Sequence, residues 1–342
     1  MQILVAIFGI SLLVIVHEAG HYLVARAFGI RVTRFSIGFG PVLAKYQPKG
    51  SPTVFQVCAI PVLAYVMIAG MNPADEFDPR DPELYPNKGI IARTLTIFGG
   101  PFANYLAASV MLFVLALTAG LPTNEIVKPM IVGDVVPKSP AAKAGLREGD
   151  VILEADGKKI GDVRELIEAT SPRPNKATKY VIKRGERTLT VTMTPRAEGK
   201  VGKIGVGPKL NYKTLTVSQA SLFALVRPFE MAVTNLQGIW DLIQRRSTEG
   251  ITGPVGMTKL VAEQASMGVL PFVWILVGIS VALGLFNMLP FPALDGGRLM
   301  FLAYEVVTRR RPNEYVEATV HTVGLLFLLG VIALVTLRDV AS

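Results

Sequence analysis

Leu12-Leu13-Val14-Ile15-Val16-His17-Glu18-Ala19-Gly20-His21-Tyr22-Leu23-Val24-Ala25 is an apolar run with three ionisable side chains in its middle. Such side chains are costly inside a long apolar segment and mark a functional site by default. Here they spell His-Glu-x-x-His. Residues four apart share a helix face, so His17 and His21 can bind one zinc ion. Glu18 then stands beside the metal, placed to take a proton from water. The plainer reading is a set of polar groups that pair to hold helices together.

The surrounding composition says what kind of helix this is. Of 342 residues, 51% are apolar and 18% are charged, against about a quarter charged in an ordinary soluble domain. Mean hydropathy is +0.44. These values predict an α-helical integral membrane protein and exclude a disordered or collagen-like chain. Cys58 is the only cysteine, which excludes an internal disulfide and a cysteine-based zinc site. The net charge of +9 does not imply nucleic acid. Of the 35 Lys and Arg residues, 22 lie between Leu121 and Ser266, interspersed with acids. They read as the solvated face of an extramembrane region, with the bilayer as the partner and no nucleic acid.

A membrane helix needs about 20 residues. Thr94–Asn124 and Gln264–Leu294 are each 31 residues without a charge, and Ala318–Leu337 is 20. With the N-terminal run, they predict four transmembrane helices at 1–29, 90–121, 264–302 and 318–338. The first lacks a basic leader and an Ala-x-Ala site, so it is expected to stay as a span. Orientation follows from basic residues in short flanks. Arg26, Arg31, Arg34, Lys45, Lys49, Arg80, Lys88 and Arg93 fill the first loop. Arg298, Arg309, Arg310 and Arg311 fill the loop between spans three and four. Both loops are therefore expected in the cytoplasm, with both chain ends and the region 121–266 outside. Residues 30–89 form a cytoplasmic-side loop and linker. Within it, Phe35–Gly70 reads as hairpins punctuated by Gly and Pro, with Val54–Met71 uncharged. A β-structured loop dipping to membrane depth is the preferred reading of that segment. A fifth span is the alternative, and it would reverse the parity.

Zinc needs a third protein ligand. Span three ends in Asn287-Met288-Leu289-Pro290-Phe291-Pro292-Ala293-Leu294-Asp295-Gly296-Gly297, and Asp295 is the only acid near that segment. By the orientation argument, Asp295 and the His17–His21 pair both lie near the cytoplasmic ends of inward-running spans. Pro290 and Pro292 are expected to break the helix there, and Gly296 and Gly297 to let the backbone turn. His321 opens span four alone and reads as structural or interfacial.

Outside the membrane, 125–208 has short β-rich runs such as Tyr180–Lys183 and Leu189–Met193. The stretch Val135–Ile152, with Lys143-Ala144-Gly145-Leu146-Arg147-Glu148-Gly149-Asp150 at its centre, resembles a PDZ domain. In Gly202-Lys203-Ile204-Gly205-Val206, Ile204 and Val206 resemble the strand that offers its edge to a peptide in permuted bacterial PDZ domains. A groove that binds peptide and a blocked groove serving as a spacer are both open. Residues 214–250 carry Leu222, Leu225, Val226, Phe229 and Val233 at helical spacing, interrupted by Arg227, Glu230 and Asp241. They suit one or two amphipathic helices on the outer membrane surface, or packing against the PDZ-like domain.

His17-Glu18-x-x-His21, Gly100-Pro101-x-x-Asn104 and Asn287-x-x-Pro290-x-Pro292-x-Leu294-Asp295-Gly296 together resemble the site-2 protease family over nearly the whole chain. Within it, one PDZ domain between spans two and three resembles the bacterial regulator of sigma-E protease group. The resemblance implies a zinc endopeptidase of the cell inner membrane that cuts transmembrane segments of substrates already trimmed by another protease. Anti-sigma factors and remnant signal peptides are the implied substrates. It implies Glu18 as catalytic base and His17, His21 and Asp295 as zinc ligands, with Asn104 and Asn287 contacting substrate or the reacting carbonyl. Two rivals stand beside it. One is a membrane metalloprotease with a Glu as third ligand. The other is a non-catalytic PDZ scaffold.

Overall fold

The computed structural model describes residues 1–71, 78–123, 127–199, 201–245 and 252–341. The expected domain start at 125 and residues 246–250 of the expected surface helices lie outside these. The chain forms two compact units, Met1–Leu115 with Thr216–Ser342, and Ala116–Leu215. In the first, α1 (Gln2–Ala27) is followed by β1 (Val32–Tyr46), β2 (Val54–Ile68), a 3-10 turn (Tyr85–Asn87) and α2 (Ile90–Thr118). The inserted unit runs β3 (Leu121–Pro122), β4 (Val132–Val135), α3 (Pro140–Lys143), β5 (Val151–Ala155), β6 (Lys158–Lys159) and α4 (Val163–Thr170). It continues with β7 (Thr178–Arg184), β8 (Arg187–Met193), β9 (Arg196–Glu198), β10 (Val201–Lys203), β11 (Val206–Pro208) and β12 (Tyr212–Lys213). The chain returns as α5 (Val217–Arg245), α6 (Pro254–Met267), α7 (Val269–Met288), α8 (Asp295–Thr308) and α9 (Glu314–Ala341).

Four helices are long and apolar enough to cross a membrane: α1, α2, α7 and Tyr315–Val340 of α9. The structure is thus of mixed α and β type, with four helices whose length and composition suit a membrane. At 1.5 Å per residue, the 20 residues of α7 reach about 30 Å, the thickness of the hydrocarbon layer. The span expected at 264–302 is not one helix. Gly268, at φ 126°, separates α6 from α7. A turn over Leu289–Leu294 then separates α7 from α8. The second break falls where Pro290 and Pro292 were expected to end the helix; the first is a backbone event in uncharged sequence that a charge count cannot see. Ala293, not a glycine, takes the positive φ of the turn, at 74°. Gly296 and Gly297 are helical, and serve by being small. A Cβ on Gly296 would lie 2.6 Å from the Leu289 carbonyl carbon.

The Val54–Met71 segment is strand over Val54–Ile68, which removes the fifth-span alternative. Arg34–Ile37 face Ala64–Met67 on one side and Val54–Val57 on the other, and Val42–Tyr46 pair with Phe55–Cys58. Each long strand is therefore folded over. Gly38 and Gly40, at φ 83° and 91°, permit the fold in β1. Tyr22 of α1 meets the rings of Phe35 and Phe55 edge-on at 5.7 and 5.5 Å, which ties the sheet to the helix. Ala25, Ile30, Val32, Ile68, Ile97 and Leu302 bury one another between α1, the sheet, α2 and α8. Arg93 of α2 forms a two-pronged ion pair with Glu305 of α8, at 2.9 and 2.6 Å.

Residues 217–245 of the expected amphipathic region form one helix, α5, whose apolar stripe is not covered by other described residues. Leu222, Leu225, Val226, Phe229 and Val233 are exposed, and the contact is made by small residues. Ala224 and Ala232 are buried with Ala108 and Leu112 of α2 and Val277 and Val281 of α7. Alanine lets helix backbones approach, so packing overrides the larger apolar stripe.

The inserted unit has its own core of Met130, Val132, Ile152, Tyr180, Ile182 and Ile204. Its main sheet has the order β6-β5-β7-β8. Asp162 caps α4, its Oδ1 accepting from the N–H groups of Arg164 and Glu165. Asp150, nearly inaccessible, accepts from Arg184 at 2.8 and 2.7 Å. The guanidinium hydrogen-bonded there holds the Asp150 carboxyl below the usual aspartate range.

Candidate metal centre

Two helices cross at glycine to make the site. A Cβ on Gly20 of α1 would lie 2.6 Å from the Gly99 carbonyl carbon and 2.7 Å from Ala103 Cβ. One on Gly99 would lie 2.7 Å from the Gly20 oxygen. One on Gly100 would meet His21 Cε1 at 2.6 Å and His17 Cε1 at 2.8 Å. Only bare backbone fits, and this closeness brings α2 within hydrogen-bond reach of both imidazoles.

His17 and His21 are buried one turn apart, with Nε2 atoms 3.2 Å apart. Asp295, at the start of α8, brings Oδ2 to 3.1 Å from His17 Nε2 and 3.3 Å from His21 Nε2. These three residues form the potential metal-holding group among the described residues. Ligands on a tetrahedral zinc at about 2.0–2.1 Å stand about 3.3–3.4 Å from one another, so the observed triangle has the right size. The proton arrangement points the same way. His21 Nδ1 lies 2.8 Å from the Thr96 carbonyl, which can only accept, so Nδ1 carries a proton. With Nδ1 as the donor to Thr96, Nε2 of His21 faces a carboxylate oxygen and a second imidazole. Asp295 Oδ2 is buried without a hydrogen-bond partner. Converging lone pairs repel unless a cation lies among them, and an N2O donor set suits zinc.

Glu18, the next residue round the helix from His17, lies close enough to interact electrostatically with His17, His21 and Asp295. It is partly exposed and accepts a hydrogen bond from the Val66 backbone of β2. The second run of β2 therefore lies against the acid–base candidate. Asn104 is fully buried, with its Nδ2 3.0 Å from His17 Nδ1, and its backbone carbonyl accepts from Ser280 Oγ of α7 at 2.9 Å. Asn287 is elsewhere engaged: its Nδ2 donates to Leu283 in its own helix, at 2.9 Å.

Ile204 and Val206 do not sit on one groove strand. β10 pairs with β9 and β11 with β4, and Ile204 falls between them. Its side chain is buried in the core of the inserted unit, and Val206 packs against that core. The Ile204 and Gly205 carbonyls already accept from Ala141 and Val136. Ile204 thus reads as the floor of a groove of about 750 Å³ that Leu166 and Ile167 of α4 also line.

Three contributors carry weak sequence signals. Thr96 acts through its backbone, which no side-chain pattern reveals. Ser280 is a lone hydroxyl in an apolar run. His321, read as structural or interfacial, accepts the Ala293 N–H at Nδ1, 3.0 Å away, and so braces the turn before Asp295.

The peptidase family M50 model matches residues 5–331. A Nostoc protein named as a candidate zinc metalloprotease is 33% identical, covering 96% of this chain and 93% of its own length. One from Clostridium perfringens, similarly named, is 32% identical over 99% of this chain and 98% of its own. Metalloprotease MmpA of Caulobacter vibrioides is 30% identical over 95% of this chain and 91% of its own. The solved PDZ domain of an SdrC-like protein from Listeria monocytogenes is 25% identical, covering 26% of this chain and 93% of its own, with a TM-score of 0.22. With a family match over nearly its whole length and a zinc-shaped His17–His21–Asp295 triangle, the chain is a zinc metalloprotease of peptidase family M50.

Proposed function

We propose that this metalloprotease cuts transmembrane segments of other proteins within the bilayer. The observation that carries the reading is the depth of the triangle in apolar sequence. His17 and His21 lie about 22 and 28 Å along α1 from its first residue, in a helix apolar enough to span. His17, His21 and Asp295 would hold the zinc. When bound, zinc supplies Lewis acidity, which polarises a carbonyl and makes water more acidic. Glu18 takes the proton of the attacking water and returns it to the leaving amine. The Val66 N–H holds Glu18 in place for this.

A helical substrate hides its peptide bonds and must unwind before cleavage. The Ala64–Ile68 run of β2 pairs on one side with β1; no other described strand covers its second side. Strand addition along that edge would hold an extended segment beside Glu18. The positive-inside argument puts the site near the cytoplasmic face of the bacterial inner membrane and the inserted PDZ-like domain outside. Outside, the domain screens for substrates already trimmed by another protease, with anti-sigma factors and remnant signal peptides as the implied classes. Asn287 and the groove around Ile204 and Val206 are the proposed substrate contacts.

The test is purified protein with a labelled transmembrane peptide, read by mass spectrometry of the products. His17→Ala, His21→Ala and Asp295→Ala should each lose both zinc and cleavage. Glu18→Gln should keep one zinc per chain and lose cleavage by about 10²–10⁴-fold. Cuts found only outside the apolar segment would refute intramembrane cleavage.

A further inference from the structure

Asn104 stands where one imidazole needs a partner. His21 gives its Nδ1 proton to the Thr96 carbonyl of α2. The corresponding partner of His17 is the Asn104 carboxamide, also from α2, 3.0 Å from Nδ1. The carboxamide is fully buried and fits nearly the same space with either end toward the ring, so its oxygen can accept from His17 Nδ1–H while Nε2 faces Asp295.

We infer that Asn104 is a positioning residue for His17: its carboxamide oxygen accepts from Nδ1–H and so fixes Nε2 as the ligand atom. A carboxylate in its place still accepts from Nδ1–H, and an aliphatic side chain does not. This assigns Asn104 to the histidine, in place of the reacting carbonyl that the family resemblance implied. The inference rests on the proposed ligand set.

Zinc affinity of the full chain in detergent, measured by competition with a chromophoric chelator, tests it, with cobalt absorption as a second readout of ligand geometry. The wild type must bind one zinc per chain, failing which the ligand set itself is wrong. Given that, Asn104→Leu should bind zinc about 10–100-fold more weakly, the usual effect of losing such a partner, with an altered cobalt spectrum. Asn104→Asp should stay within about threefold of wild type or bind more tightly, because its oxygens accept from Nδ1–H. Unchanged zinc affinity in Asn104→Leu, or equal losses in both variants, overturns the inference. If Asn104→Leu does not fold, Asn104→Asp against wild type decides: retained affinity supports the role and lost affinity refutes it.

Discussion

Replacing Gly20 by alanine adds one methyl group where α1 and α2 cross. Its carbon would sit 2.6 Å from the Gly99 carbonyl carbon and 2.7 Å from Ala103 Cβ. Carbon atoms rest at about 3.5–4.0 Å, so the two backbones must part by about 1 Å. They cannot yield by a rotamer change, because Gly99 offers only backbone. Thr96 and Asn104 ride on α2, so the 2.8 Å bond from His21 Nδ1 would stretch to about 3.8 Å, beyond hydrogen-bond range. The imidazole loses its orientation with that bond. A misplacement of about 1 Å commonly costs about 10²-fold in rate, and losing the partner of a ligand histidine costs 10–100-fold in metal affinity. Gly20→Ala should therefore show both losses. Peptide cleavage and zinc content per folded chain, measured in detergent, read them. Gly238→Ala is the control: it lies within α5 with open space around the site of the added methyl group, and should be neutral or stabilising. A Gly20→Ala protein with wild-type zinc and rate would show that the crossing does not set the site geometry.

Three further outcomes are expected. Arg93→Ala should destabilise the membrane unit by about 3–5 kcal/mol in thermal unfolding, because it strands Glu305 in a mostly buried setting; an unchanged melting temperature would refute this. Asp150→Asn should cost the inserted unit about 1.5–3 kcal/mol at neutral pH, read as faster hydrogen exchange at Ile152 and Ile182 in the full chain. Because folding lowers the Asp150 pKa, its stabilisation is fully present above the ordinary value of about 3.9 and disappears as pH falls through the lower folded one. The gap between Asp150→Asn and wild type should therefore be constant near neutrality and close only in acid; a gap that widens in acid refutes the assignment. In a Cys58→Ser background, Lys158→Cys should react with an impermeant thiol reagent on intact cells and Asp78→Cys should not. The reverse pattern would invert the proposed orientation.

His17 and His21 were legible as a ligand pair because their chemistry is local: identity and a four-residue spacing suffice. Asp295 was legible because a lone acid at the end of an apolar run has few other reasons to be there. Val54–Ile68 was legible as strand from its β-branched residues despite its hydropathy. The rest depended on partners far away in sequence. Nothing local distinguishes Gly20 from any helical glycine until Gly99 is set against it. Within 264–302 the break before Asp295 was legible from Pro290 and Pro292, while the one before α7 hides in the φ angle of Gly268. On α5 the large apolar residues drew the eye, while Ala224 and Ala232 made the contact. Ile204 and Val206 do line a groove, but the break at Gly205, φ 78°, keeps them off a single strand and buries Ile204 as the groove's floor.

β3 and β12 pair with each other, Tyr212 facing Pro122 and Lys213 facing Leu121, and the Leu215 N–H bonds to the Ala116 carbonyl. The chain thus leaves on its excursion through the inserted unit and returns at the same doorstep. To the membrane helices, those hundred residues are a loop whose two ends already touch. Closing such a loop costs entropy only logarithmically in its length, so doubling the insert adds about 0.6 kcal/mol. A second copy in tandem, a different binding module or a short glycine linker would each present α2 and α5 with the same pair of ends. Gain, loss and exchange of inserted domains are therefore nearly neutral for the fold of the helical core.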